Sequence, residues 1–375
     1  MSGIRSARRA SLTCAVALLG VAVMAAANAA GARKVIVDQD AFGPGGSDMQ
    51  SILLALQAPD VDVLGITVTS GDAWRDEEVQ HTLRLLEEAH RTEVKVYPGA
   101  VYPLLNTQQR TRAWEALYGK LVFKGAWTES WPANTRRSPY HADPFLVPPM
   151  AEGAPTTRAA DESAVNFMIR MVHKYPGEIT ILALGPLTDV AMAARLDPKF
   201  SSLVKELVFM GGSFNPVPAK NAFSAEYVNA PRLEFNMHWD AEAASIVLHE
   251  PWHKITQVPV DPTTATFFKP EYIQQVGAGT APFDAYLGKW GQSFPMWDEL
   301  AVAVWLQPSL VTRATSVMED VDVSFTAGYG DTLSWAPDLA PDMGEDKVDV
   351  VLEVDVPKFE KLALDMLSHP RAAAP

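Results

Sequence analysis

Short apolar runs alternate with amphipathic ones along most of the chain, a rhythm that predicts alternating strands and helices. Val35-Ile36-Val37 reads as a short strand covered on both faces, because three consecutive β-branched residues suit that environment. Ile52-Leu53-Leu54-Ala55-Leu56 predicts the helix that follows, entered through Gly43-Pro44-Gly45-Gly46-Ser47 with Ser47 or Asp48 placed to cap it. Val61 to Thr69 predicts a second strand, Glu77 to His90 a helix with Val79, Leu83 and Leu86 on one face, and Val94 to Tyr97 a third strand. From Pro103 to about Ala160 the rhythm breaks. Trp114, Trp127 and Trp131 sit there among prolines and polar residues, so the segment reads as an irregular insertion, either a surface excursion or a lid.

Regularity returns with a helix over 161–174, a strand from Ile179 to Leu184, and the turn Gly185-Pro186 into a helix from Leu187 to Leu196. A strand from Glu206 to Met210 ends at Gly211-Gly212. Helices near Ala241 to Leu248 and Leu300 to Leu306 follow, then a strand and helix between Lys347 and Leu367. No internal repeat or low-complexity linker interrupts this order. The pattern predicts a doubly wound α/β sheet in a single domain spanning 30–375.

Residues 1–29 stand apart. Arg5, Arg8 and Arg9 precede an apolar segment from about Leu12 to Ala26 and then Ala27-Asn28-Ala29, the order of a secretory signal peptide. A membrane anchor is the competing reading, disfavoured because the run is shorter than the ~20 residues a spanning helix needs. The expected product is periplasmic or secreted, with no membrane contact after signal removal. The single cysteine, Cys14, lies inside that segment, which excludes disulfide, zinc-thiolate and cysteine-nucleophile chemistry for the processed chain. Signal removal takes away three arginines and no acid, so the formal charge moves from −14 to −17. With no basic run elsewhere, a polyanion such as nucleic acid would meet long-range repulsion.

The candidate chemistry lies where the first strand ends. Asp38 and Asp40 fall at its carboxyl end, where open α/β sheets place their ligands, and Asp48 opens the next helix. Three acids around one helix N-terminus repel one another, so either their pKa values rise or a cation neutralises them. All-oxygen ligands suit Ca²⁺ or Mg²⁺. The other reading makes Asp38 a partner of backbone amides, Asp48 a helix cap and Asp40 a loop acid.

Several separated segments together resemble the inosine-uridine nucleoside hydrolase family, from about Lys34 to Leu367. The first acid cluster is similar to the family's DxDxGxDD motif after a strand. Ala183-Leu184-Gly185-Pro186-Leu187-Thr188-Asp189, continuing to Leu196-Asp197-Pro198, resembles its central strand-turn-helix. Phe209-Met210-Gly211-Gly212, Glu234-Phe235-Asn236 with Asp240, and Asp298 followed by Leu300-Ala301-Val302-Ala303 and Pro308-Ser309-Leu310 complete the series in order. The resemblance implies an open, Rossmann-like, mainly parallel mixed sheet, a tightly bound Ca²⁺, and hydrolysis of the N-glycosidic bond of ribonucleosides or related N-ribosides. It also implies a homodimer or homotetramer. By position, Asp40 corresponds to the metal ligand that is also general base, Asp48 and Asp298 to further metal ligands, and Leu184 to a backbone-carbonyl ligand. Glu234, Asn236 and Asn229 correspond to ribose contacts, and Met210 to the apolar contact beneath the sugar.

Three departures qualify that match. The first loop is three residues longer than usual, with Ser47-Asp48 in place of two aspartates, so Ser47 is expected to give the ribose a neutral hydrogen bond. Asp72 stands in place of asparagine, and Trp297 in place of the histidine that assists the leaving base. Indole is no acid near neutral pH, so Trp297 is expected to stack on the base, with His141 or Tyr140 as candidate proton donors. Packing roles are expected for His81 and His238. These departures leave two alternatives to an active N-ribohydrolase: a catalytically impaired ribose- or nucleoside-binding protein, and a hydrolase of a larger ribosylated compound.

Overall fold

The computed structural model describes residues 31–130, 136–216 and 231–368. The proposed signal peptide, Trp131 and Asn229 therefore lie outside the described residues. Nine strands form one sheet in the order β3-β2-β1-β4-β5-β6-β9-β7-β8. They are β1 (Arg33–Gln39), β2 (Val61–Val68), β3 (Val96–Pro98), β4 (Ile179–Ala183), β5 (Glu206–Met210), β6 (Ile255–Val258), β7 (Val311–Val321), β8 (Thr332–Trp335) and β9 (Lys347–Val354). The pairs from β3 to β9 are parallel. β7 pairs antiparallel with both β8 and β9, so the sheet is mixed and mainly parallel.

Alternation along the central strands divides the core in two. Val35, Val37, Leu182 and Val208 face the helices Ser47–Gln57 and Trp297–Leu306 on one side. Ile36, Ile181, Leu207 and Phe209 face Ala164–Lys174, Thr188–Leu196 and Ala241–Leu248 on the other. Because β2 and β3 lie on one side of β1 and β4 on the other, chain direction across the sheet reverses between β1 and β4. Loops leaving the carboxyl ends of those two strands must diverge, which opens a crevice there. No helix among the described residues is long and apolar enough to cross a membrane.

The expected elements recur with boundaries moved by up to three residues, as at the helices Arg75–Glu88 and Trp297–Leu306. Strands β6, β7 and β8 were not anticipated. The supposedly irregular 103–160 segment also contains an eleven-residue helix, Gln108–Tyr118, capped by Thr107 Oγ1 accepting from Arg110 N. Of that helix only Thr111, Trp114 and Glu115 are buried, so it carries almost no apolar stripe by which to be read.

The same segment is anchored to Arg75–Glu88 by a buried charge network. Glu152 contacts His81 Nδ1, its carbonyl accepts from Arg84 Nε at 3.1 Å, and Glu77 lies 3.7 Å from His81 Nε2. Burial alone would lower the His81 pKa, but hydrogen bonds to Glu152 and Glu77 outweigh it and hold the value at about 9. The proton is therefore bound more tightly in the folded state than at the ordinary value of 6.5. This contribution is complete below about pH 6.5, shrinks as pH rises, and is gone above about pH 9. Urea melts across this window should show stability falling by on the order of 3 kcal/mol, with His81→Asn flattening the dependence. An equal slope in parent and variant would show that His81 does not carry it.

Candidate active site

Five strand ends bring the candidate residues together. Asp40 follows β1, Asp72 follows β2, Leu184 follows β4, Met210 closes β5 and Val260 follows β6, and all line one open cavity of about 730 Å³. Asp48, Glu234, Asn236, Trp297 and Asp298 complete the polar and aromatic lining with Phe42, Phe123, Phe235, Phe294 and Arg137.

Asp40 is held by its surroundings. Its Oδ2 accepts from the backbone N–H of Asp72 at 3.0 Å, and its own N–H donates to Gln39 Oε1 at 3.0 Å. Two glycines press against the carboxylate: a Cβ on Gly71 would sit 2.1 Å from Oδ2, and one on Gly185 2.5 Å from Oδ1. The Gly185-Pro186 turn is thus a glycine because Asp40 occupies the space. Asp38, by contrast, accepts from Thr67 Oγ1 at 2.6 Å and does not line the cavity.

Asp48 and Asp298 each occupy the first turn of a helix, and those two helices pack side by side. Their positive ends favour carboxylates there. Phe42 N–H donates to Asp48 Oδ2 at 3.0 Å, and Gln39 Nε2 to Asp298 Oδ2 at 2.7 Å. Ser47 is turned elsewhere. Its hydroxyl donates to buried Glu299 at 2.5 Å and accepts from the Asp298 N–H at 3.3 Å, joining the two helix starts. The expected hydrogen bond from Ser47 to a ribose is corrected accordingly, since a strong carboxylate acceptor lies closer and Ser47 is not on the cavity wall.

Glu234 caps the helix Phe235–Trp239, accepting from Asn236 N and Met237 N, and also from Gly212 N at 3.0 Å. The Asn236 amide group donates to the carbonyls of Leu184 and Met210 at 3.0 and 3.1 Å, so it orients the very carbonyl singled out as a metal ligand. Trp297 lines the cavity 6.2 Å from the Phe294 ring. His141 and Tyr140 do not line it. His141 bonds Glu77 and the Asp143 carbonyl, and the Tyr140 hydroxyl accepts from Gln108, so neither is a proton donor to this site. His81 and His238 are buried outside it, the latter against the Tyr329 carbonyl with its pKa lowered by burial to about 4.

Desolvation dominates the electrostatics. Burial, then the charges of Asp72, Glu78 and Asp298, raises Asp40 well above the usual carboxylate range. Burial followed by Asp298, Asp72 and Asp40 does the same to Asp48. Asp298 is raised by burial to about 6 despite its bond from Gln39, and Asp72 and Glu234 by burial to about 7. No group of three or more Asp, Glu, His or Cys side chains among the described residues is already drawn together as a metal site. The donor chemistry nevertheless fits a hard cation: three buried carboxylates and an oriented carbonyl surround one cavity, and their repulsion is what a divalent ion would relieve.

Fold and cavity together define an open α/β protein with an acid-lined small-molecule site at the carboxyl ends of its strands. The chain belongs to the inosine-uridine preferring nucleoside hydrolase family, whose model matches residues 35–361. It is 28% identical to the inosine-uridine preferring nucleoside hydrolase of Crithidia fasciculata over 90% of this chain and 98% of that protein. It is 36% identical to a probable uridine nucleosidase 1 of Oryza sativa subsp. japonica, where the match spans 57% of this chain and 54% of the relative. The chain thus spans about half the length of that plant relative. A solved inosine-guanosine nucleoside hydrolase shares the fold with a TM-score of 0.69 at 21% identity, over 90% of this chain and 99% of that one. Family membership supports hydrolysis of nucleoside N-glycosidic bonds and a dependence on metal.

Sequence reading missed Phe42, Phe123, Arg137, Phe235, Val260 and Phe294. Phe235 lay within a motif already singled out, between Glu234 and Asn236; Phe123 and Arg137 come from the broken-rhythm segment and carried no local signal. The glycine contacts on Asp40 give a direct test. Gly185→Ala should lower kcat/KM for nucleoside hydrolysis on the order of 100-fold by displacing the carboxylate. An unchanged rate would remove Asp40 from the chemistry.

Proposed function

We propose that the protein is an exported, Ca²⁺-dependent N-ribohydrolase that cleaves ribonucleosides or related N-ribosides to ribose and free base. The observation that carries this reading is the convergence of Asp40, Asp48 and Asp298 on a cavity that also presents Glu234 and Asn236 and is walled by aromatic rings. Asp40, Asp48, Asp298 and the Leu184 carbonyl would hold the ion. A bound Ca²⁺ supplies positive charge that acidifies water and orients ribose hydroxyls.

The residues of the chain do the rest. Asp40, fixed by Asp72 N–H and pressed by two glycines, takes the proton of the attacking water. As the glycosidic bond lengthens the sugar gains positive charge, and a cavity floor of carboxylate and carbonyl oxygens stabilises it. The amide nitrogen of Asn236 is committed to Leu184 and Met210, which leaves Oδ1 to accept from a ribose hydroxyl. Glu234 offers the carboxylate lone pairs left over from its three backbone bonds. Trp297, Phe294 and Phe42 provide apolar faces for the base.

Three experiments test this. Mature protein loaded with Ca²⁺ should release base from a panel of purine, pyrimidine and nicotinamide ribosides, and Asp40→Asn should lose at least about 1000-fold. Ca²⁺ should raise the melting temperature of the parent, whereas Asp298→Asn should blunt that rise. Ca²⁺-bound, folded protein that turns over no riboside would favour a binding role instead. Export is tested by N-terminal sequencing of protein recovered outside the cytoplasm, with a new terminus expected near Ala30.

A further inference from the structure

The cavity carries an acid floor and an aromatic wall, yet its described lining contains no histidine, tyrosine, lysine or cysteine. Heterolysis of an N-glycosidic bond puts an electron pair on the departing nitrogen, so something must face the base. Asn236 spends its amide hydrogens on Leu184 and Met210, and the indole of Trp297 does not release a proton near neutral pH. One basic side chain remains among the described lining residues, Arg137.

Arg137 is seated by the inserted segment. Its Nη2 donates to the Gly125 carbonyl at 2.6 Å, the single acceptor that its five N–H groups reach among the described residues. The guanidinium lies 5.4 Å from the Phe123 ring centre and 5.9 Å from that of Phe42. Gly125 itself is locked down: its φ is +54°, and a Cβ there would meet Gly71 O at 2.0 Å. The next N–H, of Ala126, donates to Gly71 O at 2.9 Å, and the adjoining Asp72 N–H holds Asp40. One chain of contacts therefore fixes the guanidinium and the base-catalytic carboxylate relative to each other. The acids whose charges act on Arg137 are Asp72, Glu77 and Glu78, all fixed parts of the protein.

We infer that Arg137 is the residue that faces the leaving base, hydrogen-bonding a base carbonyl as the bond breaks, and that it selects bases able to depart as anions. The inference rests on the N-ribohydrolase reading above. In the step, the C1′–N bond breaks with its electron pair going to the base, whose charge spreads through the conjugated ring onto a carbonyl oxygen. The C1′–O bond to water forms, the water proton goes to Asp40, and the free base later takes a proton from solvent. The guanidinium stays protonated throughout, donating a charge-assisted hydrogen bond without transferring a proton. Uracil and 6-oxopurines fit this device because a carbonyl stabilises their anions. Adenine has no ring carbonyl and lacks an equivalent exit unless the ring is first protonated, which arginine cannot do.

The test compares parent, Arg137→Gln and Arg137→Lys on uridine, adenosine and 4-nitrophenyl β-riboside, whose phenolate leaves without assistance. The parent should prefer uridine to adenosine in kcat/KM. Arg137→Gln should lose on the order of 100-fold on uridine yet less than about threefold on the nitrophenyl riboside, with Arg137→Lys between parent and Gln on uridine. The nitrophenyl reaction also reports that each variant is folded. Equal losses on uridine and the nitrophenyl riboside would make Arg137 a packing residue, and a parent that prefers adenosine would contradict the selection; either result overturns the inference. A parent that hydrolyses none of the three is a separate outcome, which refutes the N-ribohydrolase reading and takes this inference with it.

Discussion

Mutual repulsion of desolvated carboxylates is the constraint around which this structure is organised. Asp40, Asp48, Asp72, Glu234 and Asp298 line one cavity, and every one has its pKa raised by burial. An ionised carboxylate out of water costs several kcal/mol unless something compensates it. The compensation is distributed over the fold. Backbone N–H groups of Phe42, Asp72, Gly212, Asn236 and Met237 point at these oxygens, and two helix N-termini point at the cavity. Those partners are enough to position each acid separately but not to cancel their combined charge. A divalent cation would complete the compensation, so metal binding and folding of the site are expected to be linked.

The topology explains why the acids meet at all. A site spanning the ends of β2, β1, β4, β5 and β6 draws on residues far apart in sequence, yet the parallel register sets them at one edge. Asp40 and Leu184 meet because Leu184 N–H continues the ladder to Asp38 O at 2.8 Å, one step beyond the last β4 pair. The Ser47–Glu299 bond then locks the Asp48 helix to the Asp298 helix. Where two adjacent aspartates were expected, the chain has Ser47-Asp48, and Ser47 bonds the buried acid Glu299 behind the cavity wall. Asp48 and Asp298 stay together on the cavity wall.

Legibility from sequence followed burial and locality. β1 and the acids after it could be read because three β-branched residues and a glycine-rich turn make strand, turn and helix start evident within a few positions. β4 and β5 were equally plain, being buried on both faces. β7 escaped because residues 311–318 are exposed or half-buried at the antiparallel margin, so its polar content hid the strand, and β6 is only four residues long. The positions of Glu234 and Asn236 at the site were legible through their motif, but Ser47 was not, since nothing local announces that Glu299, 252 residues later, will take its hydroxyl.

The segment from 103 to 160 was hardest to read, and the physical reason bears on how specificity is built on this fold. Its aromatic side chains Trp114, Phe123 and Trp127 pack on His238, Phe235 and Trp239, far off in sequence, and its polar contacts run from Glu152 to His81, Ala126 to Gly71 and Arg137 to Gly125. Such contacts leave no periodic trace in sequence, yet the polar ones are directional, and the one from Ala126 ends on Gly71, beside the Asp72 N–H that holds Asp40. A packed apolar lid would have sealed the cavity without discriminating among bases. A segment tied down by hydrogen bonds can instead present a single charged group at a defined place over an acidic floor. In a chain carrying a net charge of −14, one cation fixed inside the cavity creates a sharp local contrast, and an electron-rich base is the group such a contrast would sense.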